Sequence, residues 1–464
     1  MTAVAVRGSH LPTFERRSVG VVPASQRRGR PSSQFAMWFG ANLTIADFAL
    51  GFLPVALGMG WGPAVAAVVV GNVLGAAALG LAAGMGPSSG LPQMVQARLS
   101  FGSIGGRLPA ALNWLSTLGW YSVNTILGAF GVQLLIPGTA FWLAALVLVA
   151  AQSVLGVVGH DLVQRFEQVM SVLLGVLFLV LSVDMAGRHR VLSGYHPASH
   201  GGAAAFAVVV AATLSYVGSW SPYGSDYSRY LPERTSPLAV GWFAAAGGFV
   251  ASVWLELLGV AVAVAAGGAS VGAEVAAHRV LGGLGGVAVA AIVLGAVAAN
   301  AANLYSNSLS AAAIWSAPPR WVLAAVASAG GLIAAIASSG HFESRYEEFL
   351  LLIGYWFTPW LAVEVARFSG RRHGRHGPLV GARSTPATGM ASDTRVPLVD
   401  TTAIAAFVVG VAAEVPFMSS ALFTGPLARD LGGADLSFYV GFAAALAVAV
   451  AGGVGRRGAA RPAG

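Results

Sequence analysis

The chain has no cysteine, no lysine and little charge of either sign. Without cysteine there is no disulfide framework and no thiolate metal site. Charged residues make up 9% of the 464 positions, against about 25% in an ordinary soluble domain. With 56% hydrophobic residues and a mean hydropathy of +0.72, a water-soluble globule is excluded in favour of a polytopic membrane protein. No HExxH motif occurs, and His160, His189, His196, His200, His278 and His341 all fall in or beside loops. An intramembrane enzyme would need a nucleophile with its base, or a histidine–carboxylate metal set, so the chain does not read as an enzyme. All 26 basic residues are arginine, placed in short loops and tails, and the net charge of +8 does not point to nucleic acid.

What is present is organised around residues 38–60, WFGANLTIADFALGFLPVALGMG. The stretch is long enough to cross a bilayer, yet Gly40, Asn42, Thr44, Asp47, Gly51 and Pro54 interrupt it. Polar side chains and helix breakers persist at membrane depth only where protein or a water-filled cavity satisfies the freed backbone. An intramembrane carboxylate is costly to keep, which favours a functional segment over a merely kinked helix.

Apolar runs bounded by Gly, Pro and charge predict twelve spans, near 35–60, 62–85, 108–135, 138–158, 166–186, 203–224, 238–266, 280–314, 321–338, 347–366, 401–423 and 436–454. Residues 1–34 carry six arginines and no apolar run of signal-peptide length, so they read as a cytoplasmic tail. With that tail inside, inner loops and tails hold 21 arginines and outer loops hold 5, which places both termini in the cytoplasm of a plasma-membrane protein. Residues 367–398 read as a flexible cytoplasmic linker between a core at 35–366 and an accessory pair at 399–454, followed by a tail at 455–464. Residues 86–107 suggest a short amphipathic helix on the cytoplasmic face through Leu91, Met94, Val95 and Leu99. Gly71, Gly75, Gly80 and Gly84 predict close helix packing and no chemistry.

Polar and aromatic groups recur at one depth. Trp120 and Asn124 share a face of the third span, Asn300 and Asn303 lie mid-span in the eighth, and Trp356 mid-span in the tenth. The sixth span is interrupted at Gly218-Ser219-Trp220-Ser221-Pro222. A lone membrane asparagine is usually interhelical glue and a lone tryptophan an interfacial anchor; the shared depth argues otherwise. Aromatic faces with amides suit a flat, uncharged, hydrogen-bonding ligand. Spans one and six, both interrupted, hold equivalent places in two five-span units, near 35–186 and 203–366, as in transporters built from inverted repeats.

The segments WFGANLTIADFALG (38–51), GPSSGLPQMVQARLSFG (86–102), LPAALNWLSTLGWYSVNTILGAF (108–130), SWSPYGSDYSRYLP (219–232) and NAANLYSNSLS (300–310) resemble the nucleobase–cation symporter family, in its purine–cytosine permease branch. The resemblance implies an all-α membrane protein of LeuT-like fold, with ten core helices as a 5+5 inverted repeat, discontinuous helices one and six, and two further helices. It implies alternating access and cation-coupled uptake of a base such as cytosine or a purine. A symporter of the same fold for another small solute, of hydantoin or allantoin type or an amino acid, is the alternative. By the same resemblance the base stacks on Trp120 and Trp220, with Asn124 and Asn303 reading its edge and Asn42, Ser219 and Ser221 completing the pocket. No cofactor, protein partner or nucleic acid is implied beyond the substrate and the bilayer.

Sodium-coupled relatives carry two hydroxyl residues where this chain has Val297 and Ala298. A hard cation loses oxygen ligands there, so the reading favours H+ over Na+, with an intramembrane carboxylate as carrier. A weak sodium site, if formed, would centre on Ala41, Thr44 and Asn300. The proton candidates are Asp47, beside the span-one break, and Glu256 in span seven. Glu414 lies outside the core, and Asp226 reads as an ion-pair partner of Arg229 and Arg234.

Overall fold

The structure is a computed structural model that describes residues 19–188, 195–197, 202–269, 272–373, 396–420 and 422–454, side chains excepted at 341–345 and 371–373. The tail expected before residue 19, Arg190, most of the linker (374–395) and the tail after 454 lie outside the described residues.

Helices dominate, because a bilayer offers backbone groups no partner outside their own segment. In chain order they are α1 Ser33–Asn42, α2 Ile45–Leu50, α3 Leu53–Ala56, α4 Trp61–Ala83, α5 Gly86–Ser89, α6 Gln93–Phe101, α7 Arg107–Leu135, α8 Phe141–Val158 and α9 His160–Ala186. Then follow α10 Ala203–Gly218, α11 Gly224–Ser228, α12 Pro237–Ala265, α13 Ala273–Val280, α14 Gly285–Ile314 and α15 Arg320–Ser338. The chain closes with α16 Phe342–His373, α17 Thr401–Glu414, α18 Pro426–Asp430 and α19 Ser437–Ala451. Among the described residues, 8 helices are long and apolar enough to cross a membrane, and the bent pair Ser33–Asn42 with Ile45–Ala56 makes a ninth. This is a multi-pass membrane protein. The long helix α7 does not qualify on apolarity, since it carries Asn113, Ser116, Thr117, Ser122, Asn124 and Thr125, all of them buried in protein. The shorter apolar helices Thr401–Phe417 and Ser437–Ala451 pack on each other and on α16.

The first span bends by 60° between Asn42 and Ile45. Leu43 ends α1, and Thr44 is extended at φ −126°, ψ 160°, its hydroxyl accepting from the Asp47 N–H at 3.2 Å as the N-cap of α2. Asn42 turns its Nδ2 back onto the Trp38 carbonyl at 2.7 Å. The sixth span behaves differently. Its α-helix stops at Gly218 and passes through a 3-10 turn at Ser221–Tyr223, around Pro222, into α11 without a comparable bend.

Two packing groups form the interior. Helix α4 lies on α10 and α12, and α1 on α12; α14 lies on α7 and α8, with α15 against both. The α4 glycines act as the sequence predicts. A Cβ on Gly75 would stand 2.6 Å from the Leu214 carbonyl oxygen of α10, and one on Gly80 2.7 Å from that of Gly241 on α12. The segment 86–107 departs from expectation. In α6 the residues Gln93, Gln96 and Arg98 are buried along with Met94 and Val95, so it is no surface amphipathic helix. Its polar side chains are spent on anchoring. Ser225 donates its N–H to Gln93 Oε1 at 3.1 Å, the Gln93 N–H donates to Asp226 Oδ1 at 2.8 Å, and Arg98 donates to the Ala313 carbonyl.

Candidate functional site

Trp120 is buried on α7, edge-on to Tyr216 of α10 at 5.3 Å and to Phe349 of α16 at 5.2 Å. Its Nε1 is buried with no hydrogen-bond partner. One turn on, Asn124 meets the amides of α14, and their orientations follow from donor and acceptor logic. Asn300 Nδ2 donates to the Tyr121 carbonyl at 2.8 Å, with Thr125 Oγ1 and Gln152 Oε1 each at 3.2 Å. A backbone carbonyl only accepts, so Asn300 must present its nitrogen there and its Oδ1 away. That oxygen accepts from Asn124 Nδ2 and from Asn303 Nδ2, each at 3.2 Å. The Oδ1 atoms of Asn124 and Asn303 are left buried without partners. These two asparagines therefore offer acceptors, with Trp120 Nε1 and Gln152 Nε2 as buried unpaired donors beside them.

On the facing group, Trp220 donates its Nε1–H to Asn42 Oδ1 at 2.9 Å, across the interrupted regions of spans one and six. Its ring lies 5.6 Å from Trp38 and 5.2 Å from Tyr223. Ser219 donates to the Tyr216 carbonyl at 2.7 Å, whereas the Ser221 hydroxyl is buried without a partner. The Tyr216 and Thr44 hydroxyls are bonded at 2.8 Å, which joins the span-one cap to the aromatic group around Trp120. Trp356, by contrast, bonds Ser116 at 3.0 Å and packs on Trp360 at 6.1 Å, tying α16 to α7.

Asp47 and Glu256 are fully buried and in contact, with Ser252 of α12 beside Asp47. Asn72 of α4 donates to Glu256 Oε2 at 2.6 Å. Val297 packs against the cluster of Ala129, Ala144 and Leu148, and supplies no oxygen. Thr44 and Asn300 have their polar atoms engaged as described, and Ala41 is buried on α1. Beyond Trp120, α2, α3, the end of α7, α13 and Tyr346 of α16 line a partly open cavity of about 240 Å³. Tyr346 donates to the Ala46 carbonyl at 2.9 Å at its edge.

Sequence reasoning missed the central role of Asn300, and Asn72, Ser252, Gln152 and Tyr216 altogether. It also passed over Glu167 on α9, a buried carboxylate with neither oxygen bonded, which lies against Gly40. Its neighbour Arg165 made that turn look like a cytoplasmic boundary, but α9 begins earlier, at His160.

A broken first span, two packing groups and facing polar clusters between them define a helical membrane transporter. The comparisons agree. The family profile described as permease for cytosine/purines, uracil, thiamine, allantoin matches residues 21–441. YxlA of Bacillus subtilis is 27% identical over 92% of this chain and 93% of its own. The purine–cytosine permease fcyB of Emericella nidulans is also 27% identical, over 93% of this chain and 86% of its own. In fold the chain is similar to Mhp1, a nucleobase–cation-symport family transporter solved closed with bromovinylhydantoin bound, at a TM-score of 0.76, 17% identity and 95% coverage of each chain. The chain belongs to the cytosine/purine, uracil, thiamine and allantoin permease family. It is a permease and not an enzyme.

Proposed function

We propose that the protein is a secondary active transporter that imports a nucleobase, cytosine or a purine, by alternating access. It works as a twelve-span, LeuT-like 5+5 protein in the plasma membrane with both termini in the cytoplasm. The observation that carries the substrate reading is the amide cluster beside Trp120, whose Asn124 and Asn303 oxygens are held as acceptors by Asn300. Such a site takes a flat ring whose edge presents N–H donors, and it discriminates strongly, because a ligand lacking those donors leaves buried oxygens unpaired. Trp120, Trp220, Asn124, Asn303, Asn42, Ser219 and Ser221 form the pocket, and Asp47 with Glu256 carries the coupling. The coupling ion is H+ rather than Na+, since Val297 and Ala298 offer no ligand and two carboxyls lie buried together.

A hydantoin-type substrate is the second reading, favoured by the ligand in the structurally similar Mhp1. A thermal-shift screen of purified protein against pyrimidines, purines, hydantoins and amino acids, with and without Na+, separates the two. The specific ligand stabilises the folded state by mass action. Stabilisation by hydantoins alone would remove the nucleobase assignment.

A further inference from the structure

The two polar clusters belong to different packing groups. Asn124, Thr125, Gln152, Asn300 and Asn303 lie on α7, α8 and α14. Asn42, Asp47, Asn72, Ser252 and Glu256, with Trp220, lie on spans one, two, six and seven. The carboxyl pair thus lies on helices of one group, with α2 also packed against α7 and α14 of the other.

Both Asp47 oxygens and Glu256 Oε1 are buried with no N–H or O–H donor, while the two carboxyls touch. Two carboxylates are acceptors only, so a hydrogen bond between them requires a proton on one. Asp47 and Glu256 form no salt bridge among the described residues. The ionisable groups facing them are Tyr216 on α10 and Tyr346 on α16. Glu274 on α13 and Glu347 on α16 line the outer cavity next to α2, His278 and Arg279 on α13 are exposed, and Glu167 faces Gly40 instead. Among the described residues no cationic side chain is bonded to the pair, and a proton shared between their oxygens would join the two carboxyls.

Ser252 stands between this pair and the site. Its hydroxyl is beside Asp47 and donates to Asn42 Oδ1 at 3.4 Å, the same oxygen that receives the Trp220 N–H. A hydroxyl has one proton to donate. While that proton serves Asn42 it cannot also serve Asp47, so the two acceptors compete for one donor.

We propose that Asp47 and Glu256 act as one proton-binding unit carried by the group of spans one, two, six and seven, and that Ser252 and Asn42 transmit its protonation to Trp220. The proposal rests on the reading of the pocket as a base site. One proton enters, sits between two carboxyl oxygens, and leaves when the pair parts; nothing else is consumed. Ser252 is a positioning residue, and Asp47 and Glu256 hold the ion.

The test uses the full chain in lipid vesicles. Infrared difference spectra across a pH jump report protonated carboxyls without substrate. The wild type should show a band that Asp47→Asn and Glu256→Gln each remove, and that Ser252→Ala and Glu414→Gln keep. In the same samples the affinity for cytosine should follow pH in the wild type and Glu414→Gln, by at most about tenfold per pH unit for one linked proton. It should change less than about twofold per pH unit in Asp47→Asn, Glu256→Gln, their double and Ser252→Ala, since one unit does not add. A band that survives in either carboxyl variant, or a Ser252→Ala protein that follows pH as the wild type does, overturns the proposal. Should a neutral variant not assemble, the exchange Asp47→Glu with Glu256→Asp keeps both carboxyls and should move the pH midpoint of the band; an unmoved midpoint is equally fatal. If the bands behave as stated while no nucleobase binds the wild type, the substrate reading fails and the proton unit stands.

Discussion

Replacing Asn300 by alanine tests the acceptor site most directly. Asn303 Nδ2 has Asn300 Oδ1 as its partner, and Asn124 Nδ2 divides between that oxygen and the Trp120 carbonyl at 3.1 Å. Asn300→Ala strands the Asn303 donor and loosens Asn124. Leaving a buried donor unmade costs about 1–3 kcal/mol, which is roughly one to two orders of magnitude in an equilibrium constant. Two routes relieve that cost. The protein can lose stability, or the Asn303 amide can rotate and present its NH2 to the ligand. The second route turns an acceptor into a donor, so substrates that present an acceptor at that edge should gain relative to those that present N–H. The assay is competition by cytosine, adenine, hypoxanthine and uracil against labelled base, in cells lacking their own base permeases, with protein amount checked by immunoblot. An unchanged order of competitors with normal KM would refute the account, because it would mean that Asn300 does not orient the reading groups.

Trp120→Ala and Trp220→Ala should each abolish saturable uptake while protein remains in the membrane, since losing a stacking face costs on the order of 1–3 kcal/mol; near-normal KM in both would sink the stacking role. Gly51→Ala should block function outright, because its Cβ would run into the Glu256 carbonyl oxygen and backbone cannot move aside as a side chain can; wild-type transport by this variant would mean that α2 and α12 do not pack as closely as described. Uptake should be indifferent to replacing Na+ by choline, rise as external pH falls from about 8 to 6, and collapse with a protonophore. A strict Na+ requirement in reconstituted vesicles would instead place the cation on span-one carbonyls.

The sequence alone determined the membrane class, most of the apolar helices and the place of the bend in the first span, because these are local properties. Hydropathy over some twenty residues, a proline, or a cluster of glycines acts on its own stretch of chain. Trp120 and Asn124 were legible for the same reason, being one helical turn apart on a helix too polar to be an anchor. Tertiary structure decided everything that depends on which helices meet. It made Asn300 the residue that orients Asn124 and Asn303, buried α6 through partners more than a hundred residues away, and brought Asp47 of the first span onto Glu256 of the seventh. It also made the two interruptions unequal, a 60° bend in one and a change of helix type in the other. A side chain's hydrogen-bond role is set by the donors and acceptors that packing brings to it, and single-chain periodicity carries no record of those neighbours.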